Sequence, residues 1–136
     1  MKVFLDTNVL IDFMAERPGF PAAAALFELA SNGELELMYS ALTVANAFYI
    51  LRKQYTDIEL AEAFEIQQSA VSICGVSSQD VRKALKERWS DGEDAIQYHS
   101  ALSSQADVIL THNTNDFQCS SLAVMTPEDF LDKYFA

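Results

Sequence analysis

The sequence has only two cysteines, Cys74 and Cys119, far apart in the chain. They lack the paired spacing of a metal finger and read as reduced thiols of a cytoplasmic protein. Long apolar runs are also missing. The longest are too short and too often interrupted by polar residues to span a bilayer, so no membrane partner is expected. The first residues carry Lys2 and then an acid, Asp6, and do not read as a signal peptide. Basic residues are scarce, with nine Lys and Arg against twenty Asp and Glu and a formal net charge of −11. Such a surface repels nucleic acid on average, which excludes a simple electrostatic nucleic-acid binder. It suits acidic sites that need a cation, or a basic partner. Arg52, Lys53, Arg82, Lys83, Lys86 and Arg88 make up six of the nine basic residues, so a local basic face is compatible with the acidic body. No repeat, linker or low-complexity segment is visible.

What is present is a chain of 136 residues, half of them hydrophobic, which predicts one packed domain over residues 1–136. Lys2-Val3-Phe4-Leu5 is a short apolar strand that runs directly into Asp6-Thr7-Asn8. Helices are predicted from Asn8 to about Ala15 and from Phe20 to Ala30, the second ended by Asn32-Gly33. Leu35 to Tyr39 reads as a strand and Ser40 to about Gln54 as a helix with Val44, Phe48 and Leu51 on one face. Asp57 is the expected N-cap of the next helix, with Leu60, Ala61 and Phe64 inward. Val71 to Val76 reads as a strand. Ser78 is the expected cap of a fifth helix, with Val81, Leu85 and Trp89 repeating every four residues and Arg82, Lys83 and Lys86 on the other face. Glu93 to Gln105 is a helix capped by Asp91, followed by the strand Val108 to Thr111. His112 to Ser121 reads as a polar loop, then Leu122 to Met125 as a strand. Thr126-Pro127-Glu128-Asp129 is a strong helix start.

Strands alternating with helices predict the α/β class, a parallel sheet covered on both faces. The binding crevice of such folds lies at the carboxyl ends of the strands, where the winding reverses. Asp6 sits at one carboxyl end, and the loop holding Asp116 follows another. Asp94 opens the helix before that strand, and Asn46 lies in the helix after the second strand. Carboxylates gathered there repel one another unless a cation intervenes. Oxygen ligands without a His or Cys cluster suit Mg²⁺ or Mn²⁺ rather than Zn²⁺. An ion so held can orient a water, lower its pKa and neutralise phosphate charge, the chemistry of phosphodiester hydrolysis.

Asp6-Thr7-Asn8 after the first strand, Ser40-Ala41-Leu42-Thr43 leading to Asn46, Glu93-Asp94-Ala95, and Thr111-His112-Asn113 followed by Asp116-Phe117 resemble the PIN domain. Order and spacing match across nearly the whole chain, through Thr126-Pro127-Glu128. The resemblance implies a five-stranded parallel sheet of order 3-2-1-4-5. It implies a Mg²⁺- or Mn²⁺-dependent endoribonuclease, as in VapC-type toxins of toxin–antitoxin pairs, cleaving RNA with a metal-activated water. The family's acid positions fall on Asp6, Asp94 and Asp116 as metal ligands, with Asn46 as a further catalytic position that orients a ligand or a water. A small antitoxin and a homodimer are the partners it implies. Many PIN domains carry an acid where this chain has Asn46, and another where it has Asn113.

A second reading follows from those two asparagines: a PIN-like RNA- or protein-binding module, catalytically weak or inactive. A phosphatase of the haloacid-dehalogenase type needs Asp-x-Asp after the first strand, and the third residue here is Asn8. A receiver domain needs an Asp after the third strand, where Cys74-Gly75-Val76 supplies none. Plainer roles are expected for several residues. Glu93 reads as solvated or supporting, and His99 as core or half-buried. His112 reads as a hydrogen-bonding loop residue, and Arg52 and Lys53 as complements of a helix dipole. The cations of the fifth helix read as a solvated face, with an RNA-backbone patch as the alternative. Phe20, Phe27, Phe48 and Tyr49 read as core or partner interface.

Overall fold

The structure is a computed structural model that describes residues 1–117 and 120–136. The strands are β1 (Lys2–Leu5), β2 (Glu36–Ser40), β3 (Val71–Cys74), β4 (Val108–Leu110) and β5 (Ala123–Met125). The helices are α1 (Thr7–Met14), α2 (Phe20–Ser31), α3 (Ala41–Ile50), α4 (Asp57–Gln67), α5 (Ser78–Glu87), α6 (Gly92–Ser103) and α7 (Pro127–Phe135). All four strand pairings are parallel, as the alternation of strands and helices predicts, and the sheet order is β3-β2-β1-β4-β5, as the PIN resemblance implies. No helix among the described residues is long and apolar enough to cross a membrane.

The pleat divides the core in two. Val3 and Leu5 of β1 join Leu37, Tyr39, Val71, Val108 and Leu110 in a core facing α1, α2, α3, α4 and α7. Phe4, Met38, Cys74 and Ile109 point the other way, against Tyr98 and Ala101 of α6 and Phe117. The near-continuous apolar character of β1 and β4 follows from this burial on both faces. The chain winds outward from β1 through β2 to β3, then returns to place β4 on the opposite side of β1. The reversal therefore falls between β1 and β4, paired at Val3–Val108, Phe4–Ile109 and Leu5–Leu110.

Local chemistry moves several boundaries. The cap of α4 is Thr56, not Asp57: the Glu59 N–H donates to the Thr56 hydroxyl at 3.1 Å, and the Thr56 N–H donates to the Glu59 carboxylate at 2.9 Å. Ser77, not Ser78, caps α5 by the same reciprocal bonding with Asp80. Helix α3 stops at Ile50 rather than near Gln54, because Leu51 turns into the core and Arg52 donates to the Tyr49 carbonyl at 2.6 Å. Strand β3 ends at Cys74 rather than Val76, and the Gly75 carbonyl accepts from the Ser100 hydroxyl.

The largest correction concerns α5. Its inward face is Asp80 and Ala84, while Leu85 is 60 % exposed. Trp89 lies beyond the helix and packs on Tyr98 and Phe117. The four-residue spacing carries past the end of α5, where Arg88 takes a left-handed conformation at φ 55° and breaks the period. Tyr49 is exposed, so of the two roles expected for it the core one does not hold. Cys74 is free and buried, and Cys119 lies outside the described residues.

Candidate active site

Asp6 is held where β1 becomes α1. It is 6 % exposed and serves as the N-cap of α1. The Thr7 N–H and the Thr111 hydroxyl each donate to its carboxylate at 2.8 Å. Burial pushes the Asp6 carboxyl upward, opposed by these two hydrogen bonds, and Asp91 and Asp116 push it further up. Thr111 follows β4 directly, so the β1–β4 pairing delivers both partners.

Three further carboxylates converge beside it. Asp91 caps α6 by accepting from the Asp94 N–H at 3.1 Å. Asp116 lies in a short 3-10 helix, Thr114–Phe117, folded from what reads in the sequence as plain loop. The Asp116 N–H donates to the Asn113 carbonyl at 3.0 Å, and the Asn113 N–H donates to the Thr111 hydroxyl at 3.1 Å. Carboxylate oxygens of Asp91, Asp94 and Asp116 lie within 4.8 Å of one another. The crevice they share is also lined by Asp6, Glu93, Asn113 and Arg17. Asp94 is pushed up to about 7, first by burial and then by Asp6, Asp91, Asp116 and Glu93. Asp6, Asp94 and Asp116 thus meet in one crevice.

Asn46 meets the site at one remove. Its side-chain amide donates to Glu93 Oε1 at 2.7 Å. Glu93 is raised by burial, Asp91 and Asp6, against the pull of the Asn46 bond. Sequence reasoning assigned Asp91 only a capping role. The signal for more was its position one helical turn before Asp94, which puts both side chains on one side of α6.

Below the carboxylates lies a polar network that sequence reasoning missed entirely. Gln97 is fully buried, as are Ser40 and Thr43. The Ser40 hydroxyl donates to Gln97 Oε1 at 2.6 Å, and Gln97 Nε2 donates to Thr43 at 2.8 Å and to Thr7 at 3.2 Å. One side chain on α6 thereby ties the starts of α1 and α3 beneath the crevice. Among the described residues no buried side-chain nitrogen or oxygen lacks a partner.

The loop after β4 is fastened separately. His112 pairs through Nε2 with the Asp12 carboxylate, and its N–H donates to Asn8 Oδ1 at 3.4 Å. Position 19 is glycine because a Cβ there would collide with the Asp12 carboxylate. His99 is buried and bonded to Glu87 at 2.8 Å.

The donor set is all oxygen, with no thiolate or imidazole among the clustered ligands. Several carboxylates meet there, and among the described residues Arg17 is the sole lining cation. The chemistry of this set fits a hard divalent cation, Mg²⁺ or Mn²⁺. A larger groove lies elsewhere. Phe13, Phe27, Leu60 and Ile66 line it and Glu28, Glu59 and Glu62 rim it, between α1, α2 and α4.

Comparison with known proteins adds to this geometry. A family model described as PIN domain matches residues 2–115. The chain is 24% identical over 139 residues to Ribonuclease VapC1 of Aquifex aeolicus (strain VF5), covering 98% of this chain and 95% of that protein. Among solved structures, VapBC-1 from nontypeable Haemophilus influenzae aligns with a TM-score of 0.67 at 22% identity, over 94% of this chain and 99% of that one. A toxin–antitoxin complex from Klebsiella pneumoniae aligns with a TM-score of 0.65 at 24% identity, over 92% of this chain and 97% of that one. These structural likenesses show a shared fold.

Proposed function

The chain belongs to the PIN domain family, and from that premise we propose that it is a divalent-metal-dependent endoribonuclease, the toxin of a toxin–antitoxin pair. The observation that carries this reading is the convergence of Asp91, Asp94 and Asp116 beside buried Asp6, at the point where the sheet reverses its winding. The similarity to Ribonuclease VapC1 supports the choice of RNA as substrate.

Asp6, Asp94 and Asp116 would hold Mg²⁺ or Mn²⁺, with Asp91 close enough to join them. A bound ion of this kind supplies charge neutralisation at a phosphate and acidifies water. The protein's own part is positional and electrostatic. Thr7 and Thr111 orient the Asp6 carboxylate through two hydrogen bonds. Asp94, raised to about 7, would retain its proton in part near neutral pH, and a bound cation would favour its charged form. Asn46 orients Glu93. The bare acid crevice repels a phosphodiester, so a bound cation would be needed for the scissile phosphate to enter the crevice itself. The apolar groove with its Glu28, Glu59 and Glu62 rim suits an amphipathic antitoxin segment bearing cations. A cytoplasmic setting and a homodimer complete this reading, with residues 1–136 acting as one domain.

The test is Mn²⁺ binding by isothermal titration on chelator-treated protein, beside cleavage of a mixed-sequence RNA. The double variant Asp6→Ala with Asp116→Ala should lose both, and retained cleavage in that variant would sink the assignment. A second reading, a non-catalytic RNA- or protein-binding module, is favoured by Asn46 being occupied with Glu93. It predicts RNA binding that does not change on adding Mn²⁺.

A further inference from the structure

The crevice has an acidic floor, yet the molecule's cations are not paired with its acids. Among the described residues no Lys or Arg forms an ion pair with a carboxylate, and both ion pairs present involve histidine. Four of the nine basic residues, Arg82, Lys83, Lys86 and Arg88, stand on or just beyond α5. All four are exposed, while Asp80 and Ala84 on the inner side of the helix are buried. The helix dipole accounts for cations in the last turn, Lys86 and its neighbour Arg88. It does not account for Arg82 and Lys83. Arg82 makes one long contact, to Gln79 at 3.5 Å.

The packing of α5 on α6 carries the C-terminal end of this helix toward the site. Asp80, near the start of α5, accepts from Ser103 at the end of α6 at 2.6 Å. Glu87, at the end of α5, bonds His99 at 2.8 Å, nearer the start of α6. The helices are therefore antiparallel, and α5 climbs toward the end of α6 that carries Asp91 and Asp94. Trp89 anchors the turn between them, with ring centroids 5.2 Å from Tyr98 and 5.9 Å from Phe117. Arg88 precedes Asp91 by three residues, so their Cα atoms are at most about 11 Å apart.

We propose that the outer face of α5, Arg82, Lys83 and Lys86 with Arg88 at the crevice end, is a binding track for the RNA phosphate backbone that leads the strand to the acid crevice. The inference rests on the ribonuclease reading above and names where that substrate is held. An acidic floor needs attraction from outside it, because a phosphate backbone is repelled by the bare carboxylates and by the net charge of −11. Exposed cations without ion pairs, on a helix whose end leads to the crevice, supply that attraction without neutralising the ligands themselves.

The test is fluorescence anisotropy with a fluorescein-labelled single-stranded RNA of mixed sequence, without divalent ions, across a salt series. The triple variant R82Q/K83Q/K86Q is compared with wild type and with K2Q/K133Q, which removes two cations elsewhere. The triple variant should bind about tenfold or more weakly near ~0.1 M salt, and its slope of log affinity against log salt should shrink by about 2. K2Q/K133Q should keep the wild-type slope, and R82K/K83R/K86R should restore binding. With Mn²⁺ present, KM for RNA cleavage should rise more in the triple variant than kcat falls. If wild type binds and cleaves RNA while the triple variant keeps its affinity and slope, the track is overturned and the ribonuclease reading stands. Equal losses in the triple and the K2Q/K133Q variants also overturn the track, leaving only a general charge effect. If wild type neither binds nor cleaves RNA, the ribonuclease reading fails and the track falls with it.

Discussion

Asp94 is the residue whose titration reports most directly on the site. Its carboxyl is raised to about 7, first by burial and then by four neighbouring acids. A raised carboxyl binds its proton more tightly folded than unfolded. The stability tied to that proton is present at acid pH, below the unfolded value, and is lost as pH rises through about 7. Chelator-treated protein should therefore melt at progressively lower temperature between about pH 4 and pH 8. Asp94→Asn should flatten that slope, and so should Mn²⁺. An equal slope in wild type and variant, followed by differential scanning fluorimetry, would refute the assignment of the pH dependence to this carboxyl. Asp6, Asp94 and Asp116 were each visible in the sequence because Asp6 ends a strand, Asp94 opens a helix and Asp116 lies in the loop after a strand, all on the carboxyl side of the predicted parallel sheet. Asp91 was not visible as a site residue, since an N-cap aspartate reads the same whether or not its second oxygen faces a crevice.

Helices α1, α3 and α6 are joined to one another beneath the crevice by Gln97. Its amide satisfies hydroxyls of Ser40, Thr43 and Thr7, all in a dry environment. Replacing it with Leu keeps the bulk and strands several polar groups, each costing about 1–3 kcal/mol when left without a partner. Gln97→Leu should therefore destabilise the fold by about 2–3 kcal/mol in urea denaturation. It should also weaken Mn²⁺ affinity although Gln97 is not among the clustered carboxylates. Full stability with normal Mn²⁺ affinity would show that Thr7, Thr43 and Ser40 satisfy one another unaided. Caps were readable to within a residue, because Ser, Thr and Asp compete for the same N–H groups and only the backbone decides which of two adjacent residues wins. The inward face of α5 was not readable. Val81, Leu85 and Trp89 keep helical spacing across a helix end, and spacing alone carries no information about where the helix stops.

Across the whole molecule the acidic surplus is the dominant property. A net charge of −11 on 136 residues opposes compaction through self-repulsion. Raising monovalent salt from about 0.05 to about 0.5 M should increase the melting temperature by screening that repulsion. The gain should vanish near the sequence pI of about 4.4. A melting temperature that falls with salt at neutral pH would mean that attractive pairs outweigh repulsion. That outcome would conflict with the lack of Lys and Arg ion pairs among the described residues.

Residue order alone carried the α/β class, the parallel sheet and the PIN resemblance, because strand-end acids, caps and apolar runs are local patterns, and the strand order came only as what that resemblance implies. Three features came only from the folded chain. They are the meeting of Asp91 with Asp94 and Asp116, the diversion of Asn46 to Glu93, and the rise of α5 toward the crevice. Each depends on distances between segments separated in sequence by tens of residues, and those distances are set by how α3, α5 and α6 pack on the sheet rather than by any local preference of the residues concerned.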